Sequence, residues 1–212
     1  MPRAPLDPVA PVAVGFFGKI PARGDFVRGG LPRAFVEPWD SWLQQVLPDS
    51  RERLGAHWLP AWMEAPIWHF RLPAGQCGAV PVLGVWLPSI DAAGRHFPLT
   101  VARVGVLPER PGEWLAAAQE VGLAALQLDL APDQMTSRLD TLTPMPGAAE
   151  PERPAADVAC WWTDGSPFVP AARLVLSALP DGATFAAMLH AVPDSESEEQ
   201  PIGPPGAGGA RE

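Results

Sequence analysis

Tyrosine and asparagine are both missing from this 212-residue chain, and lysine occurs once, at Lys19, against fourteen arginines. The two cysteines, Cys77 and Cys160, stand far apart and neither belongs to a CxxC pair, which excludes a disulfide framework and a cysteine-based zinc site. They read as two small core thiols. Charged residues are scarce at 18%, yet no apolar run approaches the ~20 residues that cross a bilayer. Met1 to Val14 carries four prolines and an arginine, with no continuous apolar core of the signal-peptide kind, so cytoplasm is the expected compartment. The net charge of −9 gives no general attraction to nucleic acid or to an anionic membrane. No repeat of fixed period occurs.

Proline and glycine, by contrast, are abundant, 28 and 20 residues respectively. Such an excess suits low-complexity chains, but nine tryptophans and eight phenylalanines oppose that reading. The excess divides by position. Residues 1–11 are expected to be a flexible N-terminus, 143–156 a long loop, and 194–212 a disordered acidic and Gly/Pro-rich tail, leaving one domain over 12–193.

Within that domain, residues 12–17 form a β-like run closed by Gly18. Pro32 opens a helix whose stripe is Phe35, Val36, Trp39, Trp42, Leu43 and Val46. Pro48 is expected to break it, with Ser50 capping a second helix that turns Leu54, Trp58, Leu59 and Trp62 inward. Three strands follow over 67–72, 79–87 and 97–106, and their short connections predict an antiparallel meander. Pro81 implies that the second of them starts late or lies at an edge. Helices are expected over 113–128, 132–142 and 181–192, and strands over 158–162 and 174–179. In Trp161-Trp162 the alternation of a strand lets at most one ring reach the core. This order predicts an α+β fold: a mixed, largely antiparallel central sheet with a β-meander, flanked by helices.

Catalytic patterns are weak. Ser89 lacks a GxSxG context, the four histidines form no HExxH pair, and residues 15–20 do not satisfy a phosphate-binding loop. No catalytic residue, metal ligand or cofactor is assigned. Charge placement says more. Lys19, Arg23, Arg28 and Arg33 oppose only Asp25 within fifteen residues, a local reversal of sign on an acidic protein. Two readings stay open: a solvated loop whose arginines pair with acids elsewhere, or a docking surface for an anionic partner. A second polar cluster, Ser89, Asp91, Gly94 and Arg95, reads as a capped turn with an internal Asp91–Arg95 pair, or as a binding site.

Gly15-Phe-Phe-Gly-Lys-Ile-Pro-Ala-Arg-Gly-Asp-Phe-Val27 resembles the opening signature of the TagF (ImpM) family of type VI secretion accessory proteins. Trp39-Asp40-x-Trp42-Leu43-Gln44, Ala65-Pro66-Ile67-Trp68-x-Phe70 and Pro88-Ser-Ile-Asp91-x-x-Gly94-Arg95-x-Phe97-Pro98-Leu99-Thr100 continue it over roughly residues 12–192. His69 and Ala92 depart from the pattern, standing where an arginine and a basic or polar residue are expected. The resemblance implies a cytoplasmic, non-enzymatic, post-translational repressor of type VI secretion that involves a forkhead-associated scaffold protein. Lys19, Arg23, Asp25, Arg28, Ser89, Asp91 and Arg95 are the candidate partner-binding residues, and Phe17, Phe26, Trp39, Trp42, Trp68 and Phe97 the expected core. Loop 18–30 and turn 88–96 are expected to lie together. The competing readings are a structural component of the apparatus and a small-molecule or phosphate-binding enzyme using Asp91 and Arg95.

Overall fold

The computed structural model describes residues 12–128, 130–142 and 158–191. Seven strands form one sheet in the order β2-β1-β5-β4-β3-β6-β7. They are β1 (Ala13–Gly18), β2 (Val27–Gly29), β3 (Trp68–Leu72), β4 (Val82–Leu87), β5 (Leu99–Val104), β6 (Ala159–Thr163) and β7 (Ala172–Leu176). Every pairing between them is antiparallel. The α+β architecture and the β3-β4-β5 meander are therefore as the sequence implies. β4 starts directly after Pro81 and occupies the middle of the sheet, so the proline delays the strand rather than exposing it. The short strand β2 was not foreseen. The expected loop at 143–156 and the two ends, 1–11 and 194–212, lie outside the described residues.

Helices α1 (Arg33–Leu54), α2 (Trp58–Met63) and α5 (Gly182–Leu189) cover one face of the sheet. Helices α3 (Pro111–Gln127) and α4 (Pro132–Asp140) cover the other. The two layers differ in chemistry. Seven of the nine tryptophans (Trp39, Trp42, Trp58, Trp62, Trp68, Trp86 and Trp161) lie in the first. The second is largely aliphatic around Trp114. Several indoles are pinned: Trp39 Nε1 donates to Thr100 Oγ1 at 2.9 Å and Trp42 Nε1 to the Pro180 carbonyl at 2.7 Å. Strand alternation sends Trp161 into the first layer, where it is buried, and Trp162 to the opposite face, where it is partly buried against the second layer.

Three expectations fail here. First, α1 is continuous through both Pro38 and Pro48. An internal proline costs about 3 kcal/mol, but Phe35, Trp39, Trp42, Leu43, Val46 and Leu47 are all buried along this helix, each stabilising it by about 1.5–3 kcal/mol. Burial wins. Ser50 is accordingly not a cap: its hydroxyl donates to the Leu47 carbonyl and accepts from Trp58 Nε1, tying α1 to α2. Second, Leu59 points outward, 51% exposed. α2 is only six residues long, and its buried side is taken by Trp58, Ala61 and Trp62. Third, Phe26 is not core but 48% exposed; it caps the cluster from outside, its ring 5.6 Å from Phe17 and 4.7 Å from Phe97.

Candidate functional site

Antiparallel register decides what meets at one end of the sheet. Gly18, at the end of β1, pairs with both Val27 and Leu99, and Leu99 pairs with Leu87 at the end of β4. Segments 19–26 and 88–98 must therefore leave the sheet side by side, although some seventy residues separate them in sequence. Gly18 makes the approach sterically feasible: its φ is 142°, and a Cβ there would sit 2.0 Å from the Pro98 carbonyl oxygen.

The two segments are knotted by polar contacts. Lys19 Nζ donates to Asp91 Oδ2 at 2.7 Å, with both side chains buried. Arg95 Nε donates to the same oxygen at 2.7 Å. The Ala93 and Arg95 main-chain N–H groups each donate to Asp91 Oδ1 at 2.9 Å. Ser89 Oγ donates to the Lys19 carbonyl at 2.8 Å, the Ala92 N–H to the Arg23 carbonyl at 2.9 Å, and Arg95 Nη2 to the Gly24 carbonyl. Gly94, at φ 75°, completes the tight turn that lets two N–H groups reach one carboxylate.

Burial alone would push the Asp91 carboxyl upward. The hydrogen bonds from Lys19, from the Arg95 main chain and side chain, and from Ala93 outweigh it, holding the group well below the usual carboxylate range. Asp91 is thus a fixed anion, its two oxygens already accepting four hydrogen bonds. The internal Asp91–Arg95 pair read from the sequence is present. Lys19 as its second partner was not foreseen.

The seven candidate residues sort into two groups. Lys19, Ser89 and Asp91 are buried, and their polar groups bind loop to loop. Arg23, Asp25 and Arg28 are exposed, and so is Arg95, whose side chain is 59% accessible while its Nε holds Asp91. Asp25 and Arg28 take no part in the knot; Arg28 lies on β2, opposite Phe17. Ala92 acts through its main chain, so its departure from the expected residue type leaves the knot unchanged. His69 lies on β3 between Val85 and Trp162 of the neighbouring strands, outside the knot, and stacks on Trp162 with ring centres 5.6 Å apart. Burial lowers its pKa, against opposing effects of Gln119 and Asp164.

Sequence reasoning missed the aromatic buttress behind the turn. Trp62 Nε1 donates to the Ser89 carbonyl at 3.2 Å, and His96 packs edge-on against Trp58 and Trp62. Arg51 lies 4.2 Å over the Trp58 ring. A cavity of about 220 Å³ opens beside this buttress, lined by Pro21, Trp62, Met63, Pro88, Ser89, Ile90 and Leu126. Neither Asp91 nor Arg95 lines it. Among the described residues no three His, Cys, Asp or Glu side chains are grouped to hold a metal ion, and no helix is long and apolar enough to cross a membrane.

The geometry coincides with a known family. Residues 15–142 match the model of the TagF N-terminal domain, described as type VI secretion system-associated. The chain belongs to this family. It is also similar to PA0076 from Pseudomonas aeruginosa PAO1, whose crystal structure superposes with a TM-score of 0.72 at 30% identity, over 85% of this chain and 96% of that one. A search of curated proteins finds no match. The matched TagF region contains both knotted segments and ends at the close of α4, before β6, β7 and α5 complete the aromatic layer.

Proposed function

We propose that this TagF-family chain is a cytoplasmic, non-enzymatic repressor of type VI secretion that acts after translation by binding a forkhead-associated scaffold protein of the apparatus. The contact surface is the exposed rim of the knot, Arg23, Asp25, Arg28 and Arg95. One observation carries the reading: Asp91 is saturated by internal donors, while Arg23 faces solvent and Arg95, although it holds Asp91 and the Gly24 carbonyl, keeps 59% of its side chain accessible, on two loops locked together. Rigid loops presenting charge suit recognition, because little ordering entropy remains to be lost on binding.

The enzymatic alternative built on Asp91 and Arg95 is disfavoured by the same contacts. A carboxylate held ionised with both oxygens occupied is poorly placed to accept a proton or a substrate donor, and the neighbouring cavity is lined by neither residue. The structural-component alternative differs in stoichiometry, and co-purification in fixed ratio with sheath or baseplate would favour it.

The test is a pull-down of the scaffold by the wild-type chain and by Arg23→Glu/Arg95→Glu, with circular dichroism to verify folding. Loss of capture by a folded double variant is the expected result. Undiminished capture sinks the proposal.

A further inference from the structure

The cavity beside the knot is apolar on most of its wall. Met63, 60% exposed, and Leu126 line it, and Glu64 follows Met63 in sequence. Pro21, two residues before Arg23, and Ile90, next to Asp91 of the Asp91–Arg95 pair, line it as well. Trp62 also lines it, fixed by its bond to the Ser89 carbonyl. A volume of about 220 Å³ suits one large side chain and is below the several hundred cubic ångströms typical of a drug-sized ligand site. Segments 18–30 and 88–96 together carry Lys19, Arg23, Arg28 and Arg95 against Asp25 and Asp91, an excess of two positive charges on a chain whose total is −9. Inside the knot, two cations share the single Asp91 carboxylate, so the Arg95 side of the cavity keeps a positive surplus.

We propose that this cavity receives one bulky apolar side chain, Leu, Met or Phe, from an acidic segment of the partner whose carboxylates lie over Arg23 and Arg95. The inference rests on the binding surface proposed above and adds the chemistry of what binds there. A buried anchor supplies affinity, whereas the exposed charges supply orientation and encounter rate.

The probe is a peptide of one Phe followed by four alternating Asp and Glu residues, titrated into the full chain labelled with ¹³C at the methionine methyls. With five methionines the spectrum is simple, and Met63→Leu assigns the Met63 signal. The expected result is a saturable shift of the Met63 methyl. Binding should weaken at least tenfold when the Phe is replaced by Ala, and again when the acids are replaced by their amides. An unmoved Met63 methyl, or equal binding of either control peptide, overturns the inference.

With the intact scaffold, Met63→Glu should weaken binding at least tenfold. If Arg23→Glu/Arg28→Glu abolishes scaffold binding while Met63→Glu leaves it intact, the cavity is not used and the binding surface stands. If neither variant weakens it, both readings fall. Two other occupants would also overturn the inference. A Met63 shift that follows protein concentration without peptide assigns the cavity to a second copy. A shift caused by neutralising Asp194, Glu196, Glu198 and Glu199 as amides in the full chain assigns it to the chain's own acidic stretch.

Discussion

Lys19 and Arg23 are four residues apart on one loop, carry the same charge, and have opposite fates. Lys19 is buried against Asp91, with its ammonium also 5.1 Å from the centre of the Phe26 ring. Arg23 lies in solvent, its Nη1 reaching only the neighbouring Ala22 carbonyl. A compact ammonium on a flexible stem suits a single buried carboxylate, whereas a guanidinium is a broad fork of five donors. The buried cation joins two loops, and the exposed one is left available to a partner. Charge on this loop therefore divides into a buried half that ties the loops together and an exposed half to which we assign recognition, and the division can be attacked from both sides.

The largest effect belongs to the buried half. Lys19→Ala leaves Asp91 buried with one cation fewer, and breaking such a pair costs about 3 kcal/mol, the low end for buried pairs because Arg95 remains. Urea unfolding measures it, and a loss below about 1 kcal/mol would erase the distinction between the halves. Next comes pH. Asp91 has a folded pKa below its unfolded value of about 3.9; its contribution is therefore fully present above about pH 4 and is lost as pH falls below that. Asp181, held down by the Thr184 N–H that it caps, adds in the same direction. Urea midpoints between pH 7 and pH 2.5 should fall more steeply for wild type than for Asp91→Asn, and parallel curves would contradict the assignment. Ser89→Ala is smaller, about 1 kcal/mol for one lost hydrogen bond to the Lys19 carbonyl. Smallest of all for stability, Arg23→Glu/Arg28→Glu should stay within about 0.5 kcal/mol of wild type.

Much of this was legible in the sequence where the cause is local. The stripe of α1 and the alternation at Trp161-Trp162 follow from spacing within a few residues. The expected closeness of loop 18–30 and turn 88–96 is explained by the pairing of Gly18 with Leu99. What stayed hidden depends on distant partners. The Lys19–Asp91 pair spans 72 positions; its one sequence signal is that the chain uses lysine a single time. Pro48 misled for the same reason, since the layer that keeps α1 continuous comes partly from β3 and α5. The cavity needs α2, α3 and both loops together, so no single segment announces it.

The central claim is that the exposed rim, and not the buried pair, contacts the scaffold. Isothermal titration of the purified forkhead-associated scaffold protein into Arg23→Glu/Arg28→Glu, beside wild type, tests it most directly, because neither side chain holds the knot. The account predicts at least tenfold weaker binding with an unchanged unfolding midpoint. Wild-type affinity in this stable variant would contradict it.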